Sequence, residues 1–175
     1  MHTITIGKYT VLCDHQKSGR VARDIEDAVV VEKLENEDEY NEYIYYGITD
    51  CGVSPDLVVE GYYSPASVSG FYPGILILPN ENIMFFGAGD IVQIWQLSPY
   101  KKIHEESPEC GFWGWSTHND LVIMTGELEL AAWNNLGEKL WSKFVEPPWY
   151  YEVQEETITT NVMDYEESFN IYTGK

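Results

Sequence analysis

Three groupings of side chains in this 175-residue chain have types and spacings that could do chemistry. Cys13-Asp14-His15 brings together a thiol, a carboxylate and an imidazole, the ingredients of a metal site or an activated nucleophile. Successive residues of a strand point to opposite faces, however, and no second ligand group has matching spacing. Ser67-Val68-Ser69-Gly70 has half of a nucleophile elbow, but the first glycine is missing and no helical pattern follows. Glu127 and Glu129 are spaced to share one face of a strand, and paired carboxylates hydrolyse glycosides at separations of about 5 Å or roughly 6.5–9.5 Å. Their alternation with Leu128 and Leu130 reads more simply as the wet side of a half-buried strand. No phosphate-binding loop or calcium-loop spacing is present, so the residues call for no enzyme, cofactor or metal.

The charge is more informative. The net charge of −19 comes from 29 acids and 10 bases, and both halves share it: residues 1–70 carry 13 acids and 5 bases, residues 71–175 carry 16 and 5. Nucleic acid and anionic membrane surfaces are poor partners for such a chain, because affinity for either leans on basic side chains. A basic protein is a good one, through electrostatic steering, although the same charge also serves plain solubility. Two segments concentrate it. Glu35, Glu37, Asp38, Glu39 and Glu42, with Tyr40 and Tyr43 as aromatic anchors, form an acidic finger between two strand-like runs. Glu105, Glu106 and Glu109 form a second acidic connection, and Trp149, Tyr150 and Tyr151 would lie beside it on one rim. The locally basic stretch Lys8, Lys17, Arg20 and Arg23 pairs most simply with the acidic remainder.

The elements that must position these residues read as strands. Five of the six tryptophans fall between Gly111 and Tyr151, which marks the densest core. There Leu121-Val122-Ile123-Met124 is an apolar run, Thr125-Gly126 breaks it, and Asn134-Asn135-Leu136-Gly137 punctuates before Leu140-Trp141. The stretch repeats: Asn82 to Trp95, Asp120 to Trp133 and Glu156 to Phe169 each span thirteen steps and lie 38 and 36 residues apart. Each opens on a polar residue, runs through four apolar or β-branched residues, breaks, and ends a second strand on a large aromatic. This predicts three superposable hairpins with Trp95, Trp133 and Phe169 equivalent. Upstream, Thr3 to Leu12 reads as one strand, Leu57-Val58-Val59 as another, and the β-branched residues of Val21 to Val31 favour a strand there too.

A strand, a break, an alternating strand ending in Trp, then N-x-x-G-x-x-L-W, as in Trp133 to Trp141, resembles the blades of WD-type and quinoprotein-type β-propellers. The likeness covers roughly residues 75–175. It lacks the Trp-Asp and Gly-His signatures and carries over no quinone site. It implies an all-β chain of antiparallel sheets, with propeller-like repeats of about 37 residues in an incomplete propeller or sheet stack. We read residues 1–175 as one domain, with an irregular β part over 1–70, the repeats over 71–175, and the boundary at Ser64 to Gly70.

Three widely spaced cysteines make no disulfide framework, and neither a signal peptide nor a long apolar span is recognisable, which points to a reducing cytoplasm. By general character the chain resembles bacterial immunity proteins, which neutralise a basic nuclease toxin by covering its cleft. The alternatives are a carbohydrate-binding or glycoside-hydrolysing protein and a peptide-binding scaffold.

Overall fold

The computed structural model describes residues 1–34, 42–64 and 72–175. Within them the chain forms four sheets. The first holds β1 (His2–Ile6), β2 (Tyr9–Asp14), β3 (Val30–Leu34), β4 (Glu42–Thr49) and β5 (Leu57–Tyr63), in the order β1-β2-β4-β5-β3. Its pairs are antiparallel except β3 with β5, which is parallel. The expected strand over Thr3 to Leu12 is two strands, because Gly7 takes the left-handed conformation (φ 60°) and folds β2 back on β1.

Most of the expected strand over Val21 to Val31 is instead helix α1 (Gly19–Asp27), and only Val30 and Val31 are extended. Local signals explain the correction. Ser18 caps the helix, its hydroxyl accepting from the Val21 amide at 3.3 Å, and Val21, Ile25 and Ala28 recur at i, i+4 and i+7. That stripe packs on Leu12, Tyr43, Tyr45 and Val58, covering the outer face of the first sheet.

The repeats build the other three sheets. The second is β6 (Gly74–Leu78), β7 (Ile83–Ala88), β8 (Ile91–Leu97) and β9 (Tyr100–Glu106). The third is β10 (Phe112–His118), β11 (Leu121–Gly126), β12 (Glu129–Asn134) and β13 (Lys139–Phe144). The fourth has three strands, β14 (Trp149–Gln154), β15 (Thr157–Val162) and β16 (Tyr165–Asn170). All are antiparallel meanders, and none closes into a barrel.

The thirteen-step units are hairpins in one register. Met84 faces Trp95, Val122 faces Trp133, and Ile158 faces Phe169. Even the irregularities repeat, with a bulge beside Trp95 in β8–β9 and beside Trp133 in β12–β13. Each aromatic packs back toward the preceding sheet: Trp95 in the core between the first and second, Trp133 between the second and third, Phe169 between the third and fourth.

The four-residue apolar runs follow from this stacking. In the second sheet Met84 and Phe86 face the first sheet, while Ile83 and Phe85 face the third. A strand buried on both sides has no polar face to show. β15 alternates instead: Ile158 is fully buried, whereas Thr157 and Thr159 face outward with Glu152 and Ser168. The stack is therefore covered at one end by α1 and finished at the other by a polar sheet face, the way terminal repeats of solenoids are made soluble.

Tight turns lock the sheets together. Asn134 accepts the Leu136 and Glu138 amides at its side-chain oxygen, and Gly137 adopts φ 83°. A β-carbon at Gly137 would lie 2.8 Å from Ile94 Cγ2 and 3.0 Å from Ile103 Cδ1 of the second sheet. Gly137→Ala is expected to lower stability by about 1–3 kcal/mol, through strain and that contact. An unchanged urea midpoint would contradict this packing.

Candidate functional site

The acidic residues expected to form an exposed connection are mostly strand residues. Glu105 and Glu106 belong to β9, because the side chains there take part in an ionic fastening that the sequence pattern concealed. Lys102, opposite Trp95, lies 5.9 Å from its ring and bridges Glu105 of its own strand and Glu32 of β3, the latter at 2.7 Å. Lys139, opposite Trp133, repeats the device one sheet on: it lies 5.1 Å from that ring and bonds Glu106 of β9 at 2.7 Å and Glu129 at 3.0 Å. Each outer-strand lysine thus ties its sheet to the one before, over a tryptophan face. Glu109 lies beyond β9, its amide donating to the Glu129 carboxylate at 3.4 Å.

Glu129 itself departs from the solvent-facing position read for it. It is 7% exposed and also accepts from Ser142, while Glu127 lies outside the strand in the β11–β12 turn. The hairpin turns between them, so the two do not alternate along one strand face. The carboxylates that converge are Glu106 and Glu129, in a cleft lined also by Ser107, Glu109, Ser142 and Phe144, with the Lys139 ammonium between them. Burial would raise the Glu129 carboxyl, but hydrogen bonds from Ser142 and Lys139 and the ammonium charge outweigh it and hold the group below its ordinary value. Lys139 is correspondingly held above its own, the bonds it donates to Glu106 and Glu129 overcoming its burial. A general acid for glycoside cleavage needs the opposite shift.

Toward the N-terminus, burial pushes the Cys13 thiol up, away from the reactive thiolate, and Asp14 pairs with the terminal ammonium at 3.4 Å. Among the described residues no three His, Cys, Asp or Glu side chains gather as for a metal. Tyr43 is a core residue rather than an exposed anchor: it is 7% exposed, donates to Glu60 at 2.8 Å, and shares Lys17 with the Tyr62 ring. Glu42 is exposed and accepts from Tyr63. Glu35, Glu37, Asp38, Glu39 and Tyr40, and most of the proposed boundary after Ser64, lie outside the described residues.

The remaining expected residues fall on the fourth sheet, and there an aromatic surface assembles. Trp149 stacks on Trp113 of β10, with ring centroids 5.6 Å apart and planes 8° from parallel, across the mouth between the third and fourth sheets. Its indole donates to the Glu127 carbonyl at 3.0 Å, which fixes the ring. Tyr151 turns inward, its hydroxyl 2.9 Å from Ser116 Oγ, while Tyr150 points out. Register places Trp149, Val162 and Tyr165 in one cross-strand row and Tyr150, Asn161 and Glu166 in the next. Trp113 is 39% exposed, Met163 60% and Tyr165 72%; the sequence offered little to single out these three. Trp113 was read as core, and only its alternation with buried Phe112 could have shown otherwise.

The paired shifts set a pH window. The Glu129 contribution is present above its unfolded value of about 4.3 and is lost as pH falls through the lowered folded value; that of Lys139 is present below about 10.4 and lost as pH rises through the raised one. Glu129→Gln is expected to cost about 1–3 kcal/mol near neutrality and to flatten the acid limb of the stability curve. An acid limb as steep as the parent's, measured by urea unfolding from pH 2 to 7, would show that Glu129 is not the group responsible.

No protein-family model matches the chain, and no curated protein matches it in sequence. Among solved structures it is similar to the computationally designed Ika8 protein, with 10% identity and a TM-score of 0.44 over 80% of this chain and 46% of that one. It is also similar to Saccharomyces cerevisiae Sqt1, with 8% identity and a TM-score of 0.45 over 90% of this chain and 45% of that one. Kluyveromyces lactis Hsv2 aligns at 12% identity and a TM-score of 0.32 over 56% and 32%. The chain thus spans less than half the length of each, and likeness at this level carries no function across.

Proposed function

We propose that this chain is a non-enzymatic acidic binding protein that captures a basic protein partner, and that its concrete form is a cytoplasmic immunity protein covering the cleft of a nuclease toxin. One observation carries the reading: Glu146, Glu152, Glu155, Glu156, Asp164, Glu166 and Glu167 are all exposed, no lysine or arginine lies between Lys143 and Lys175, and the Trp113–Trp149 stack lies at the end of this sheet where Glu146 and Asp164 fall. An acidic field accelerates encounter with a basic protein, and a rigid, half-exposed aromatic centre supplies the short-range anchor. Such a surface occupies the cations that a nuclease uses to grip phosphates. Lys102 and Lys139 are engaged in ties between the other sheets, and Lys143 offsets only Glu167 on this face.

The exposed tryptophan stack also favours a second reading, carbohydrate binding, since flat aromatic faces suit sugar rings. Quenching or a shift of tryptophan fluorescence on titration with oligosaccharides, abolished by Trp149→Ala, would support it.

The capture reading is tested by association kinetics with a purified basic nuclease toxin domain. Reversing Glu146, Glu152 and Glu155 to lysine is expected to slow association by about 10- to 100-fold at low salt and to weaken its salt dependence. The fold stays nearly intact, at a cost within about 0.5 kcal/mol per exposed site. Trp149→Ala is expected to act on dissociation, costing about 2 kcal/mol or more. Unchanged rates in both variants, at low and moderate salt, would leave the charge with solubility as its only role.

A further inference from the structure

The outer face of the first sheet holds a cation between two rings. Tyr43 of β4 and Tyr62 of β5 are cross-strand partners, and Glu60, two residues away on β5, shares their face. Helix α1 covers Tyr45 and Val58 beside them, and Tyr62 stays half-buried. The two ring centroids stand 5.6 Å apart with the planes at 66°, and the Tyr43 hydroxyl donates to the Glu60 carboxylate at 2.8 Å. Lys17 reaches this corner from the loop before α1. Its ammonium lies 5.1 Å from the Tyr43 centroid and 4.8 Å from that of Tyr62. The floor of the corner is fixed, because Tyr43 and Glu60 are both buried, whereas Lys17 is exposed. A phenol that donates to a carboxylate has a more electron-rich ring, and such ring faces attract ammonium groups.

Lys17 is held differently from the lysines inside the stack. Lys102, Lys139 and Lys143 each lie over a single ring and are tied to a carboxylate of another strand, at 2.7, 2.7 and 2.6 Å. Lys17 lies between two rings and, among the described residues, forms no ion pair. An exposed cation–ring contact shifts an equilibrium only about two- to fivefold per ring, and the lysine stem is long and rotatable. A second ammonium brought to the corner therefore displaces Lys17 at small cost. The rings recognise the head group whichever chain or molecule carries it, and the seated Lys17 head shows that an ammonium fits.

We infer that Tyr43, Tyr62 and Glu60 form a binding site for an alkylammonium group from outside the chain, which Lys17 fills in the free protein. The site lies on the first sheet, away from the acidic face of the fourth, and it stands or falls apart from the capture reading. A free amine and a lysine side chain of another protein present the same head group, and Lys17 sets the threshold that either must exceed.

The test titrates the full chain with n-butylammonium and reads by NMR the upfield ring-current shift of the methylene next to nitrogen. Lys17→Ala empties the corner at an exposed position, where substitutions leave the fold nearly intact. Half-saturation is expected at a concentration about fivefold or more below the parent's, because the internal competitor is gone. Lys17→Arg, which refills the corner, is expected to restore the parent value. In the Lys17→Ala chain, Tyr62→Phe should keep the binding and Tyr62→Leu should remove it, while neutral n-butanol should give no saturable shift. No saturable shift in Lys17→Ala, a half-point equal to the parent's, or binding that survives Tyr62→Leu overturns the inference. So does equal binding of n-butanol, which would make the corner a plain apolar slot. A blocked Gly-Gly-Lys-Gly-Gly peptide separates the two sources once the ring dependence is met. Binding about tenfold tighter than the amine supports the site as a receptor for a polypeptide lysine, and binding no tighter supports it as a site for a free amine.

Discussion

Burial of whole sheets on both faces is the constraint from which the rest of this molecule follows. Once β7 and β11 lie between neighbouring layers, every residue of their central runs must be apolar, and the layers must keep one spacing. The tryptophans answer the second requirement. Trp95 and Trp133 occupy the same register and turn toward the preceding sheet, each with a lysine from the outer strand over its ring. Those lysines reach carboxylates of the layer before. Cations that would otherwise moderate the surface are thereby used inside the stack, and the acidic excess is left to the exterior.

That division separates two kinds of acid which composition alone merges. Glu32, Glu106 and Glu129 are fastening residues, paired with lysines and partly withdrawn from water. Glu146, Glu152, Glu155 and Glu166 are exposed, on or beside a sheet whose outer face is polar apart from Tyr150. The aromatic centre at Trp113 and Trp149 lies where the third and fourth sheets meet, so the packing that ends the stack also orients the one stacked indole pair open to water.

Much of this was legible before any coordinates. The thirteen-step repeat, its terminal aromatics and the Asn-x-x-Gly turn are local patterns, and the structure carries all three in one register. Ile83-Met84-Phe85-Phe86 and Thr157-Ile158-Thr159-Thr160 read alike as four-residue apolar or β-branched runs, which passes over the alternation that marks the second as covered on a single side. Helix α1 was missed because β-branched Val21, Val29, Val30 and Val31 outweighed a short i, i+4, i+7 stripe. The roles of Glu105, Glu106 and Glu129 were hidden for another reason. Their lysine partners lie in neighbouring strands or sheets, and no window along the chain brings Glu106 and Lys139 together. Trp113 and Trp149 likewise meet only through the stacking of sheets.

The central claim is that the acidic and aromatic surface of the fourth sheet occludes a basic partner without doing chemistry on it. It is tested most directly by titrating this chain into a basic nuclease toxin domain and following cleavage of a labelled nucleic acid. The account predicts a linear fall in activity to an endpoint at one chain per nuclease, reversible by raising salt, with the nuclease recovered unmodified. Undiminished cleavage at a large molar excess, or inhibition accompanied by covalent change in the nuclease, would contradict it.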